Sequence, residues 1–493
     1  VTDWRVVAAV VALYLAANLL IGTLAGRRST ATVAGYVAGD RGFGTVLMYF
    51  VTGATVFSAF AFLGGPGWAY SRGGAAYYIL TYGVLGMAPY LALGVWAARV
   101  GRKHGYVTQA SMLADRFRSP WVAATAGAVS VVAMIPYIAL QMKGAGIVIQ
   151  QVTVGHVPEW LGSALAYAVV LVYVWRSGVL GVGWTNVFQG AFMIIIAWGL
   201  GIYVPYHLYG GIGPMFERIA AARPELLTVP GLAADGTPWP PFEYSSAILV
   251  SALGFVMWPH LFMKAFAAKD DATIRRTIAL FPTFQLFLVP LFMVGFAGVL
   301  FPTPPLQPDA VMPHVVLSSG LPAVVIGLFC AGALAASMST GDALVHGAGS
   351  MAIEDVYRQL SGRSPDDHTR RAMIRRVAVA AGVLGYVMAL ISGRSLVGLL
   401  LMAYGAVVQL APAVYAAFLW RRATAPGIVA GLVIGVAVTL LLVIQPAWRP
   451  WSIHEGLVGL AVNALTAVGV SLVTRPPEDS HVTGWLAVSR GMQ

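Results

Sequence analysis

The sequence predicts an all-α polytopic membrane protein of about 13 transmembrane helices. Three observations predict it. Of the 493 residues, 58% are hydrophobic and only 10% charged, whereas a soluble chain carries roughly 25% charged residues because its surface must face water. The apolar residues fall in blocks long enough to cross a hydrocarbon core of roughly 30 Å at 1.5 Å per residue. Lys and Arg, finally, are segregated between the connections that join those blocks.

The blocks place spans 1 to 13 near 4–26, 44–71, 74–99, 121–153, 159–178, 183–207, 245–263, 277–301, 317–345, 373–393, 396–420, 424–444 and 453–474. With the connections assigned alternately to two sides, one side receives 23 Lys/Arg and the other 6, and the thirtieth, Lys143, lies within span 4. Such a bias is the positive-inside pattern. It predicts a multi-pass protein of the cell membrane, N-terminus outside and C-terminus cytoplasmic. The net charge of +11 then reflects topology, and a nucleic-acid partner is not needed to explain it. The partners expected are the lipid bilayer and a small solute. Span 1 is longer than a signal h-region and is followed by Arg27 and Arg28, so it reads as retained. Cys330 is the single cysteine and sits in an apolar run, which suits packing.

Two spans look interrupted. Span 2 contains GATVFSAFAFLGGPGWAYSRGG, with Gly53, Gly64, Gly65, Pro66 and Gly67; span 7 contains SALGFVMWPHLFMK, with Gly254 and Pro259. Gly and Pro leave backbone groups unpaired, which lipid tolerates only where the segment lines a protein cavity. Either alone could be an ordinary kink. They are five spans apart, however, so each opens a five-helix unit, and an odd number of spans inverts the second unit against the first. The expected organisation is a peripheral region 1–43 (first helix and inside loop), a transport core 44–422 with repeats near 44–207 and 245–420, and a region 423–493 of two further helices and a short tail. The segment 208–243, rich in Gly and Pro, is expected to be irregular. The tail after 474 is too short for a nucleotide-binding or kinase module.

Span 9 carries the strongest local signal, ALAASMSTGDALVHGAGSMAIEDVY. Ala336 and Ser339 are three apart, hence on one face, and Thr340 borders it. Hydroxyl and carbonyl oxygens suit a hard cation such as sodium, although small-residue helices also use Ser and Thr to bond back to themselves. Lys143 is an intramembrane cation and so calls for a partner or cavity. It could be the counter-ion of a solute carboxylate, with Tyr137 and Gln141 on preceding turns; it could also snorkel, or pair with Asp342. Trp258 and His260 flank Pro259 at the break in span 7, where they could line a solute pocket or merely pack. Asp355 is expected to pair with loop arginines. Lys143 and Asp342 are the charged residues placed within spans, too few for an enzyme's acid/base or metal cluster.

Several of these motifs resemble the sodium/solute symporter family. Met338, Ser339 and Thr340, followed by Asp355, Val356 and Tyr357, match the family's ninth-helix pattern; Gly53, Ala54, Ser58, Gly64, Pro66 and Gly67 match its second; Thr185, Asn186 and Gln189 match a sixth-helix T-[DN]-x-x-Q motif. The resemblance covers spans 1 to 13 and implies a fold of the leucine-transporter type with an inverted five-helix repeat. It also implies a sodium site made of the Ala54 and Phe57 carbonyls, the Ala336 carbonyl and the Ser339 and Thr340 hydroxyls. The solute would then meet Thr55, Ser58, Tyr137, Gln141, Lys143, Trp258 and His260. Val56 replaces the acidic residue of the family's proline carriers, and Asn186 replaces an Asp tied in some members to a further cation site, so a single coupled Na+ is expected. The GGPG stretch is like that of the pantothenate carriers. The expectation is a sodium-coupled importer of a small, anionic organic solute, a short monocarboxylate. The alternatives are pantothenate or an amino acid as solute or, in a different class, a sensor module without its output domain.

Overall fold

The computed structural model describes residues 3–26 and 42–492. The basic connection expected over 27–41, with Arg27 and Arg28, lies outside the described residues. Helices dominate, because a chain in hydrocarbon must satisfy its own backbone; among the described residues the only β contacts are two isolated bridges, Phe43 with Ala268 and Leu232 with Pro238.

In chain order the helices are α1 (Trp4–Gly26), α2 (Thr45–Val56), α3 (Gly65–Arg72), α4 (Tyr78–Met87), α5 (Tyr90–His104), α6 (Gln109–Phe117), α7 (Pro120–Val152), α8 (Glu159–Tyr209), α9 (Ile212–Ala222) and α10 (Pro241–Phe255). They continue with α11 (Pro259–Phe262), α12 (Lys264–Ala267), α13 (Asp271–Gln285), α14 (Leu288–Val299), α15 (Val311–Ser318) and α16 (Ala323–Met351). The last are α17 (Asp367–Ile391), α18 (Leu396–Val407), α19 (Ala411–Leu419), α20 (Ala425–Ile444), α21 (Glu455–Val473) and α22 (Asp479–Arg490). Polar caps set several starts: Asp270 accepts from the Thr273 N–H, Asp366 from the His368 and Thr369 N–H groups, and Thr108 forms a capping box with Ser111.

By length and composition nine helical stretches among the described residues can cross a bilayer, with α13 and α14 forming one (Asp271–Val299) and α18 and α19 another (Leu396–Leu419), or eleven when two bent pairs each count as one span. This is fewer than 13. The apolar part Glu159–Val172 is shorter than a full span, and α5 ends in Arg102, Lys103 and His104.

Helical bonding runs unbroken over α8, yet its two parts cannot form one rod. The Tyr167 hydroxyl donates to the Ser337 carbonyl, and Asn186 donates to Thr55. Thr55 in turn accepts from Thr340, one turn from Ser337. Nineteen residues of straight helix would separate Tyr167 and Asn186 by about 28 Å. The chain therefore turns back, and spans 5 and 6 run antiparallel as the sequence predicts.

Both predicted breaks are present: the chain bends by 58° between α2 and the segment starting at Phe60, and by 43° between α10 and α11. In span 7 the break falls where Gly254 and Pro259 place it. In span 2 it falls at Phe57 and Ser58, ahead of the Gly-Gly-Pro-Gly run. That run instead continues the helix through a π-helical turn, Phe60–Gly64, into α3. Its glycines serve close packing: a Cβ on Gly65 would sit 2.7 Å from the Phe292 ring, and one on Gly67 2.9 Å from the Pro308 carbonyl.

The 208–243 segment is less irregular than expected, since it contains α9 and a 3-10 turn, Pro224–Leu227. The tail also folds: α22 lies against α5, with Trp485 packed on Phe418 and its indole N–H donating to the Tyr106 hydroxyl. On the Lys/Arg-rich side the arginines choose Glu354, which pairs with Arg358 and Arg370. Asp355, expected to take them, instead accepts from the Thr108 hydroxyl. Adjacent helical residues face directions about 100° apart, and only Glu354 faces the arginines of α17. Glu354 is 3% exposed. Replacing it with Gln should cost about 1.5–3 kcal/mol, measured as a lowered unfolding midpoint in detergent; an unchanged midpoint would show the pairs to be idle.

Candidate functional site

The site forms where α2 stops. Beyond Val56 the helical ladder fails for three consecutive acceptors. The Ala59 N–H, which would pair with the Thr55 carbonyl, donates to Gln141 Oε1 at 3.1 Å. The Phe60 N–H donates to its own N-cap, Ser58 Oγ, at 3.2 Å, and the Ala61 N–H goes to the Ser58 carbonyl. Phe57, at φ −92° and ψ 89°, lies on the turn itself. Carbonyls at the end of α2 are thereby released.

Helix α16 supplies what meets them. Ser339 Oγ donates to the Ala54 carbonyl at 2.8 Å and lies 3.2 Å from the Ala336 carbonyl, while Thr340 Oγ1 donates to the Thr55 carbonyl at 2.8 Å. All of these groups are fully buried. Ala54, Ala336, Ser339 and Thr340 therefore come together, and Phe57 lies at the adjoining turn with its ring stacked on Phe281 and Phe284. Neutral oxygens from a broken helix and two hydroxyls suit a monovalent cation that must be released again. The donor set thus fits sodium as cargo.

The expected solute residues divide into three groups. Tyr137, Trp258 and His260 come together, with ring centroids 4.8 Å apart for Tyr137 and Trp258, 6.0 Å for Tyr137 and His260, and 5.6 Å for Trp258 and His260. Neither nitrogen of His260 has a hydrogen-bond partner among the described residues. Thr55, Ser58 and Gln141 belong instead to the break. Thr55 Oγ1 accepts from Asn186 Nδ2 at 3.1 Å, Ser58 caps the second half-helix, and Gln141 caps it from α7. Gln141 Nε2 is left buried and unpartnered. Gln189 reaches away from this centre to Asn18, at 2.8 Å.

Lys143 stands apart. It neither pairs with Asp342 nor joins Tyr137 and Trp258; its Nζ donates to the Arg394 carbonyl at 2.8 Å, at the wall of a separate cavity. Two residues along α7 rotate a side chain by about 200°, so Lys143 faces away from the break that Gln141 caps.

Two features escaped the sequence. Lys264, counted there in a loop, is 6% exposed on α12, within electrostatic reach of both Asp342 and His260; its spacing of four from His260 was the available signal. Tyr404 of α18 packs on Trp258, with centroids 5.6 Å apart, and on Tyr82, also 5.6 Å. From there the rings continue through Tyr78 to Trp68, and nothing local to Tyr404 announces this.

Comparison with known proteins places this geometry. The sodium:solute symporter family model matches residues 36–435. The chain is 30% identical over 480 residues to the uncharacterized symporter YhjB of Bacillus subtilis, covering 93% of this chain and 95% of that one. It is 28% identical over 427 residues to the sodium/pantothenate symporter of Escherichia coli, covering 83% and 84%. To the monocarboxylate transport permease protein of Rhizobium johnstonii it is 24% identical over 454 residues, covering 88% and 89%. Among solved structures, a Na+-coupled sialic acid symporter in a substrate-bound outward-open state superposes with a TM-score of 0.80 at 18% identity, covering 96% of this chain and 98% of that one. The fold is of the leucine-transporter type with its inverted five-helix repeat, and the coupling ion is sodium. The chain belongs to the sodium:solute symporter family.

Proposed function

We propose that this protein imports a short monocarboxylate together with one Na+, by alternating access. The observation that carries the reading is the convergence of Ser339 and Thr340 on the carbonyls freed at the end of α2, one short turn before Ser58, whose neighbour Tyr137 belongs to the ring cluster with Trp258 and His260. Sodium held by Ala54, Phe57, Ala336, Ser339 and Thr340 would fix the break and so shape the pocket beside it, which makes solute affinity depend on the ion.

A carboxylate solute is supported by three features. Gln141 Nε2 is a buried donor without an acceptor, and the His260 ring nitrogens are buried without a partner among the described residues; a carboxylate supplies acceptors of the kind such donors lack. Val56 leaves span 2 without an acidic residue. Monocarboxylate and pantothenate carriers are among the relatives. The Lys/Arg asymmetry of 23 to 6 supports an outside N-terminus and a cytoplasmic C-terminus, with the two inverted repeats near 44–207 and 245–420 forming the moving core.

The test is uptake of labelled pyruvate, pantothenate and proline into proteoliposomes, with and without an inward sodium gradient. Pyruvate uptake should rise at least about tenfold with the gradient and exceed that of proline. Sodium-independent uptake of every solute would overturn the site assignment.

A further inference from the structure

A cavity of about 590 Å³ opens on the side of the bundle that carries the 208–243 segment, between the end of α3, Lys143 of α7, residues 233–236, residues 307–309 and the connection before α18. Two cations line it. The Arg72 guanidinium lies over the Trp68 ring, 4.2 Å from its centroid, and 5.9 Å from that of Trp239. The Lys143 ammonium is anchored by the Arg394 carbonyl alone. Among the described residues neither cation is held in an ion pair.

Two acidic groups share the cavity wall, Asp309 within electrostatic reach of both Arg72 and Lys143 and Asp235 within reach of Arg72, neither in an ion pair with them, and each has hydrogen bonds of its own. The Asp309 carboxylate accepts the Leu396 N–H at 2.9 Å at the start of α18, and burial pushes its pKa above the usual carboxylate range. Asp235 is occupied by the Thr237 amide and hydroxyl at 3.0 and 2.7 Å. Glu159 and Glu243 act on Lys143 and Arg72 through space without an ion pair. A guanidinium seated over an indole face finds no hydrogen-bond acceptor there, so its N–H groups remain to be met, and a carboxylate can meet them in bidentate fashion. A run of packed rings lies between the cavity and the Trp258–Tyr137 cluster. Trp68 leads to Tyr78 (5.3 Å), Tyr82 (5.1 Å), Tyr404 (5.6 Å), Trp258 (5.6 Å) and Tyr137 (4.8 Å) by successive ring contacts.

We propose that this cavity is a capture site for a small organic carboxylate, which Arg72 and Lys143 hold before the solute moves along the aromatic column to Trp258 and Tyr137. The proposal rests on the carboxylate reading of the solute. It reassigns Lys143 from the central pocket to the vestibule and adds Arg72 as its partner.

Cys330 is the single cysteine and is buried, so Ser71→Cys gives a clean reporter in the cavity wall. In the purified full-length protein at low ionic strength, the anionic reagent 2-sulfonatoethyl methanethiosulfonate should label it about fivefold faster than the cationic trimethylammonioethyl analogue. Pyruvate should slow the labelling. In the Arg72→Gln/Lys143→Met variant the preference should vanish. The same variant in proteoliposomes should show a pyruvate KM raised about tenfold with the half-saturating sodium concentration unchanged. Asp309→Asn, which keeps the side-chain oxygen on the Leu396 N–H, should strengthen the anionic preference.

Equal or reversed reagent rates, or a wild-type KM in the double variant, would overturn the capture site. Should the double variant not fold, the reagent preference and pyruvate protection in the Ser71→Cys protein alone decide. If no carboxylate is taken up by the wild-type protein, the solute reading fails instead, and the reagent preference still judges the cavity separately.

Discussion

Ser339→Ala is expected to raise the sodium concentration for half-maximal uptake by about ten- to hundredfold, leaving the folded protein intact. The hydroxyl lies 2.8 Å from the Ala54 carbonyl and 3.2 Å from that of Ala336. It is the one side-chain oxygen that touches both halves of the proposed site. Its removal deletes a proposed ligand of the ion, a loss of about 1.5–3 kcal/mol of charged-group contact, which is about one to two decades in affinity. The solute KM measured at saturating sodium should move little. Thr340→Ser, which keeps the hydroxyl and drops only a methyl, should stay within about threefold of wild type. The measurement is initial uptake against sodium concentration in proteoliposomes, beside a thermal unfolding curve. Wild-type sodium dependence in Ser339→Ala would place the ion elsewhere. A general loss of stability would instead mark the hydroxyl as packing, the role that small residues and hydroxyls serve in many membrane helices.

From the sequence, spacing on one helix face makes Ala336 and Ser339 neighbours, whereas the sodium role and the Ala54 carbonyl of another helix come from the family resemblance. The two breaks were legible for a local reason as well, since Gly254 and Pro259 act on the backbone they belong to. What the sequence misplaced are relations between helices. The GGPG run suggested a break at Gly64–Gly67, but those glycines admit Phe292 and the Pro308 carbonyl, neighbours far along the chain. The actual break at Phe57–Ser58 contains neither Gly nor Pro and is held open from α7, by Gln141. The sequence places Gln141 on the solute as a helper of Lys143 from a preceding turn, but its Oε1 is a cap and only its Nε2 remains available. The apolar run stops at Met263, which puts Lys264 in a connection by sequence, whereas its burial depends on helices that fold over it. Glu354 and Asp355 could not be ranked by composition, because only the direction of each side chain tells which one meets Arg370.

Gly295→Val is expected to cost about 3–4 kcal/mol and to abolish uptake along with stability. Gly295 lies on α14 against α3, the half-helix that follows the π-turn. A Cβ there would stand 2.4 Å from the Pro66 carbonyl oxygen and 2.8 Å from its Cα. These are backbone atoms, so no rotamer change relieves the overlap and the helices must separate. On its other side α3 is equally confined, since a Cβ on Gly67 would lie 2.9 Å from the Pro308 carbonyl. A helix clamped by main chain on both faces cannot shift to absorb a side chain. Gly295→Ala should fall between wild type and Val, as the clash already begins at Cβ. Gly199→Val supplies the control, because nothing lies within 4 Å of its Cβ position; it should unfold within about 0.5–1 kcal/mol of wild type. Equal unfolding curves for the two valine variants would mean that α3 is free to move off α14. In that case the second half of the broken span, rather than standing as a fixed wall of the vestibule, would itself be a moving part of the transport cycle.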